Sequence, residues 1–235
     1  MDQLQGSLSI AFLGNKDDAS EIEKAQLGNK EHLSELRVIF QEGDEEQRKG
    51  DEEIVKALQP HQNLESLSIL YCQIGTTESL YWIKSLRNLR KLNLLDWRFC
   101  EFLPPLGKLP SLEILEIDGM KKVKTVGVEF LGIEEEEVSR DLFPKLKRLE
   151  FRFMENWEEW AFVSEITIMP RLSELRIVRC PKLKALPEFL YKITELRTLE
   201  IRDCDILEGE YKKDVGKEWH NISHIPNLTI QSGRN

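Results

Sequence analysis

Four histidines and four cysteines are the groups in this 235-residue chain best suited to metal or nucleophilic chemistry. Their spacing argues against most of it. His220 and His224 are four apart, which can put two ligands on one helix face. No Glu follows His220, as the His-Glu-x-x-His pattern of a metalloprotease requires. No third ligand accompanies them, so the pair reads as capping or turn residues and no metal is expected. Cys72, Cys100, Cys180 and Cys204 contain no Cys-x-x-Cys pair, so neither a disulfide framework nor a zinc site is expected. Ser, His and Asp occur without a nucleophile elbow. No Gly-x-x-x-x-Gly-Lys-Ser/Thr phosphate loop occurs either. The expectation is a non-enzyme with no catalytic residue and no cofactor.

What recurs instead is leucine, 34 residues of it. The chain is 40% hydrophobic, 32% charged and carries a formal charge of −9. That balance does not suit a general nucleic-acid or anionic-membrane surface. The apolar runs are far short of the ~20 residues of a transmembrane helix. The start lacks the basic and long apolar segments of a secretory leader, so a reducing, cytoplasmic setting is expected. The sequons at Asn221 and Asn227 then read as chance matches.

Aligned, the leucines give one phrase, Leu-x-x-Leu-x-Leu/Ile/Phe, followed by Cys, Met or Trp. Clear copies are Leu64/Leu67/Ile69 with Cys72, Leu89/Leu92/Leu94 with Trp97, and Leu112/Leu115/Ile117 with Met120. Leu146/Leu149/Phe151 with Met154, Leu172/Leu175/Ile177 with Cys180 and Leu196/Leu199/Ile201 with Cys204 complete them. Leu33/Leu36/Val38 and Ile225/Leu228/Ile230 are weaker copies, and Leu8, Ile10 and Leu13 form a partial one. The short intervals fit a leucine-rich repeat of 20–29 residues. The long ones carry acidic insertions at 43–53 and 134–137.

The second and third apolar positions alternate with one polar residue, which is strand period. Such a strand buries its apolar face only by stacking on neighbours. The expected fold is therefore an α/β leucine-rich-repeat solenoid, a horseshoe with a parallel concave β-sheet and an irregular helical or 3₁₀ convex side. It spans 1–235 as a single domain of about eight repeats. The partial first repeat is 1–32 and the weak terminal one 221–235. Thr76 or Thr77 is expected to cap a helical return over Glu78–Ser85, and Asp51 one over 52–58. Cys72, Cys180 and Cys204 share one inward position and read as structural; Cys100 is out of phase and has no assigned role. Trp157 and Trp160 are expected to pack the convex side.

The same phase names the concave face. Its first half carries a balance of −3 and its second half +3, from Lys147, Arg148, Arg152, Arg176, Arg179, Arg197 and Arg202 against Glu150, Glu174, Glu200 and Asp203. Two readings stand. Glu150, Arg176 and Glu200 occupy equivalent positions and could form an alternating-charge ladder, each pair contributing roughly 0.2–1 kcal/mol. Alternatively the face docks an acidic partner. The candidate protein-binding residues are Tyr71, Arg148, Arg152, Phe153, Arg176, Arg179, Arg197 and Arg202, arginine and aromatics being the usual anchors. Trp97 is a further aromatic candidate, although its phase predicts burial. Reversing Arg152 and Arg176 together is expected to weaken partner binding and leave thermal stability nearly unchanged.

Several strings are more specific than the repeat itself. Leu103-Pro-Pro-Leu-Gly-Lys-Leu-Pro-Ser-Leu112 is followed by Gly119-Met-Lys-Lys-Val, Val126-Gly-Val-Glu-Phe-Leu131 and Phe143-Pro-Lys-Leu-Lys-Arg-Leu149. Met154-Glu-Asn-Trp-Glu-Glu-Trp160, Cys180-Pro-Lys-Leu-Lys-Ala-Leu-Pro187 and Trp219-His-Asn-Ile-Ser-His-Ile-Pro226 complete the set. Together they resemble the C-terminal leucine-rich-repeat region of plant coiled-coil-class nucleotide-binding (NB-LRR) disease-resistance proteins, over essentially the whole chain. The resemblance implies recognition of a protein ligand, a pathogen effector or a guarded host protein, in plant defence. It also implies docking on a nucleotide-binding switch domain. That domain and the coiled coil are absent here, so nucleotide binding and signalling do not carry over. A substrate-recruiting domain of a ubiquitin-ligase adaptor is the alternative; an F-box-like helical segment would mark it, and none is visible. The sequence sets no oligomeric state.

Overall fold

The computed structural model describes residues 4–11, 18–41, 45–133, 141–162 and 167–232. Leu13 and the acidic run at 134–137 lie outside them. Nine strands form one sheet in the order β1 (Gly6–Ala11), β2 (Leu33–Ile39), β3 (Ser66–Leu70), β4 (Lys91–Leu95), β5 (Ile114–Asp118), β7 (Arg148–Arg152), β9 (Glu174–Val178), β10 (Thr198–Arg202) and β11 (Asn227–Gln231). Two short strands, β6 (Thr125–Val126) and β8 (Glu159–Trp160), make a second parallel pair among the returns. Every pairing in the large sheet is parallel. The fold is thus a leucine-rich-repeat solenoid.

The register follows the phrase. Leu67, Leu92, Leu115, Leu149, Leu175 and Leu199 pair in one row across six strands, and Ile69, Leu94, Ile117, Phe151, Ile177 and Ile201 in the next. All twelve are at most 1% exposed. An in-register row is the only arrangement that hides the apolar side of every strand, since a one-residue slip would turn it to solvent. The fourth phrase position, Cys72, Trp97, Met120, Met154, Cys180 and Cys204, is fully buried. At the outer strands the core thins: Leu8, Ile10, Leu228 and Ile230 are only partly buried.

The residue that brings this fourth position inward was not marked in the sequence. Tyr71, Asp96, Gly119, Phe153, Arg179 and Asp203 directly follow their strands, and all have positive φ between 51° and 71°. Five of the six are not glycine, so each left-handed turn carries a conformational cost. The ladder holds them there: Tyr71 N–H donates to Leu95 O (2.8 Å), Phe153 N–H to Val178 O (3.0 Å) and Arg179 N–H to Arg202 O (2.8 Å). At Gly119 a side chain would also meet Asp96 Cα at 2.9 Å.

The returns correct two expected caps. Helix α2 runs Glu45–Leu58, so Asp51 lies within it rather than before it. Asp51 is buried and its Oδ2 accepts the Gln73 N–H at 2.9 Å. Glu78–Ser85 is a 3₁₀ stretch, and Thr77 before it makes no side-chain capping bond. Helix α1 (Asp18–Ala25) packs on α2, and α3 (Val128–Leu131), α4 (Asp205–Glu210) and α5 (Trp219–Ile222) are short. Cys100 now has a place: it is fully buried in the same core, and its thiol donates to Phe102 O (3.1 Å). Trp157 and Trp160 pack among Phe130, Phe151, Phe162 and Phe189 on the return side.

Candidate functional site on the concave face

The polar residues of the phrase face away from the core in three parallel columns. The register places Glu150, Arg176 and Glu200 side by side, Arg152, Val178 and Arg202 in the next column, and Arg148, Glu174 and Thr198 in the third. Strand spacing puts column neighbours about 4.8 Å apart, within reach of ion pairing. Pairing is what the arginines do. Glu174 Oε2 accepts from Arg148 Nε at 2.7 Å and its Oε1 from Arg176 Nε at 2.6 Å. Arg176 Nε also lies 3.6 Å from Glu200, and Arg202 Nη2 is 2.5 Å from Glu200 Oε1. Arg152 Nε pairs with the buried Glu150. Of the ladder, Arg176–Glu200 forms, while Glu150 pairs with Arg152 on its own strand, and the arginine heads still reach solvent.

Burial pushes the Glu174 carboxyl up, but hydrogen bonds from Arg148 and Arg176 and their charges outweigh it and hold it below the ordinary carboxylate range. Asp118 goes the other way. Partial burial raises it; Arg152 opposes, while Asp96, Glu150 and Glu116 add to the rise. The face thus passes from an acid-crowded centre on β4–β7 to a paired arginine row on β7–β10.

Three candidates sit in the left-handed column at the rim. Tyr71 is 40% exposed. The Arg179 guanidinium lies 5.0 Å from the centre of the Phe153 ring and 3.4 Å from Asp203. Arg197 is the loosest, 3.9 Å from Glu195 and 72% exposed. Tyr71, on β3's end, is remote in strand order from the arginine row, so the eight candidates do not converge on one spot. Trp97 is corrected outright: it is fully buried, and its indole N–H donates to Ile69 O at 3.1 Å. The stability expectation at Arg152 and Arg176 is also corrected. Arg152 satisfies the buried Glu150, and Arg176 the partly buried Glu174 and Glu200, so reversing both leaves one buried carboxylate unpaired and two partly buried ones beside a like charge.

His220 stands on α5 with Nδ1 3.1 Å from Lys217 O. No cluster of three or more His, Cys, Asp or Glu suited to a metal occurs among the described residues. No helix among them is long and apolar enough to cross a membrane.

Residues 1–120 match the family model described as R13L1/DRL21 LRRs. The chain belongs to the R13L1/DRL21 leucine-rich-repeat family. Its relatives are plant proteins named for disease resistance. An RPP13-like protein 1 of Arabidopsis thaliana is 28% identical over 97% of this chain and 22% of its own length. A second Arabidopsis thaliana disease resistance protein is 33% identical over 97% and 17%. The disease resistance protein RGA2 of Solanum bulbocastanum is 27% identical over 99% and 23%. This stretch of R13L1/DRL21-type repeats thus spans about a fifth of the length of the curated relatives it matches. Among solved structures, the leucine-rich repeat domain of the type III effector XopL aligns with a TM-score of 0.47 and 14% identity, over 97% of this chain and 76% of that one. The fold assignment rests on the nine-stranded sheet, not on that likeness.

Proposed function

We propose that the chain is the recognition surface of an intracellular plant immune receptor, binding protein through its concave face and catalysing nothing. The ligand is a pathogen effector or a modified host protein, and the same domain docks on a nucleotide-binding switch domain in the cytoplasm. The observation that supports this most is the paired arginine row. Arg148, Arg152, Arg176 and Arg179 each spend Nε on a carboxylate of this chain, and among the described residues their Nη groups make no hydrogen bond. Side chains already fixed lose little freedom on binding, and free Nη groups suit carboxylates of an acidic partner.

The test uses the exposed members of the row. Arg179 and Arg197 are 59% and 72% exposed and form long pairs of 3.4 and 3.9 Å, so their reversal leaves the fold intact. A photo-reactive residue in place of Arg179, expressed in leaf tissue, should cross-link a protein. The same group at Lys84, exposed on a convex return, should not. Arg197→Glu should reduce capture severalfold. Equal capture from both faces, or capture indifferent to Arg197, would sink the proposal.

A further inference from the structure

The large sheet ends on β11, and no strand pairs with its outer side among the described residues. The backbone shows what that edge offers. Asn227 N–H donates to Arg197 O (2.9 Å), and Gln231 O accepts from Asp203 N–H (3.3 Å). In a parallel ladder successive residues bond alternately to the two sides. Asn227, Thr229 and Gln231 therefore bond toward β10, and Leu228 and Ile230 hold their N–H and C=O groups toward the open side.

The side chains are equally unfinished there. Leu228 and Ile230 are only partly buried. On the sheet's strands from β2 to β10 the same two rows are at most 1% exposed. A groove of about 550 Å³ beside them is lined by Trp219 as well, and Glu208, Lys212 and Lys213 bring both signs of charge to it. Edge strands are usually guarded by a charge, a proline or a bulge. β11 has no charge, no proline and an unbroken register with β10, whereas β1 at the other end is bulged between Gly6 and Ser7.

The pattern of β11 says what fits it. Asn-Leu-Thr-Ile-Gln reads amide, aliphatic, threonine, aliphatic, amide in both directions. Such a strand complements an antiparallel copy of itself. With the two Thr229 residues opposite each other, Leu228 meets Ile230 of the second copy, and the outward N–H and C=O groups of both residues close on one another. Their side chains then cover each other on the core side. The threonines form a non-hydrogen-bonded pair, with Cα atoms about 4.5 Å apart, on the concave side.

We propose that two copies of this chain join β11 to β11, antiparallel about a twofold axis through Thr229, so that two nine-stranded sheets become one. A contact of the same patch with itself closes at two copies. The proposal does not depend on the reading given to the concave face.

The test is sedimentation of the whole chain. A contact this small is weak, so the wild type should pass from one copy to two between about 1 μM and about 300 μM and go no further. Thr229 is exposed, so charge is tolerated there by the fold. Thr229→Lys and Thr229→Glu each set like charges face to face and should each associate about tenfold more weakly. Mixed one to one, they should restore a dimer with one copy of each, because pairing position 229 with itself brings the opposite charges together. A wild type that stays single at the higher concentration overturns the proposal. So does one that grows beyond two copies, as stacking of β11 on β1 would, or a mixture that stays single. Should a charged variant misfold, Thr229→Cys decides, since the native thiols are buried. Glutathione disulfide should link that variant into a covalent dimer and leave Thr198→Cys, one strand inward, unlinked. A Thr229→Cys chain that stays unlinked also overturns the proposal.

Discussion

Asp51 is the sharpest lever on stability. It sits inside α2, 1% exposed, with Oδ2 on the Gln73 N–H and Oδ1 without a partner among the described residues. Burial raises its carboxyl from 3.8 to about 6, with the Gln73 N–H pulling the other way. A raised acid binds its proton more tightly in the folded chain than in the unfolded one. Its stabilising effect is complete below about pH 4 and disappears as pH rises through 6. At 1.36 kcal/mol per unit, the shift is worth about 3 kcal/mol in all, about 2 of it between pH 4 and pH 7. Asp51→Asn keeps an oxygen for Gln73 and cannot ionise. Urea unfolding of both proteins, followed by tryptophan fluorescence at pH 4, 5, 6 and 7, isolates this one group, because every other carboxylate is common to both. The variant should gain on the wild type as pH rises, by about 2 kcal/mol over that range. A constant difference across pH would refute the burial argument.

Two further outcomes follow from close packing and from thiol burial. A Cβ on Gly107 would lie 2.5 Å from Leu131 O and 3.0 Å from its Cα, so Gly107→Ala should cost about 1–3 kcal/mol by overpacking, read as a lower urea midpoint at constant slope. Cys72, Cys100, Cys180 and Cys204 are free and buried, and burial pushes the Cys100 thiol up to about 11. The Cys180 thiol lowers Cys204, but all four are inaccessible, so iodoacetamide at pH 8 should leave them largely unmodified in the folded chain and alkylate all of them in urea. Fast labelling of the native protein would show that the fourth-position turn opens.

The repeat was legible because its signal is local and periodic: two apolar residues separated by one, then Cys, Met or Trp three positions on. That phase alone places Leu67, Leu92, Leu115, Leu149, Leu175 and Leu199 in one row. The returns were less legible because they are set by contacts between repeats. Asp51 looks like a cap by residue type, yet the helix continues through it, and its partner is Gln73 in the next repeat. Cys100 has no phase because it belongs to a return, and only packing shows it buried. The left-handed column left a trace that could be read: Gly119 in one repeat and Asp96 and Asp203 in two others are types that tolerate positive φ. Tyr71, Phe153 and Arg179 in the same column hide it.

The charge pattern shows why a sum over residues misjudges such a face. In-register stacking brings every same-phase residue within one strand spacing of its neighbours, so a column of arginines alone would repel itself. The carboxylates interleaved with it, Glu150, Glu174 and Glu200, remove that repulsion and leave the arginine heads partly exposed. They bind mainly the inner nitrogen: Arg148, Arg152 and Arg176 pair through Nε. A guanidinium has five N–H groups, so a single Nε contact fixes the side chain and leaves the outer fork unspent. The buried Glu150 and the partly buried Glu174 and Glu200 thus hold arginine heads at set spacings. An isolated surface arginine would lose rotamer freedom to reach the same geometry. Arg202 breaks the pattern: it pairs through Nη2, and its Nε is buried without a partner among the described residues. Its fork turns back toward Glu200, whereas Arg148, Arg152, Arg176 and Arg179 meet their carboxylates through Nε.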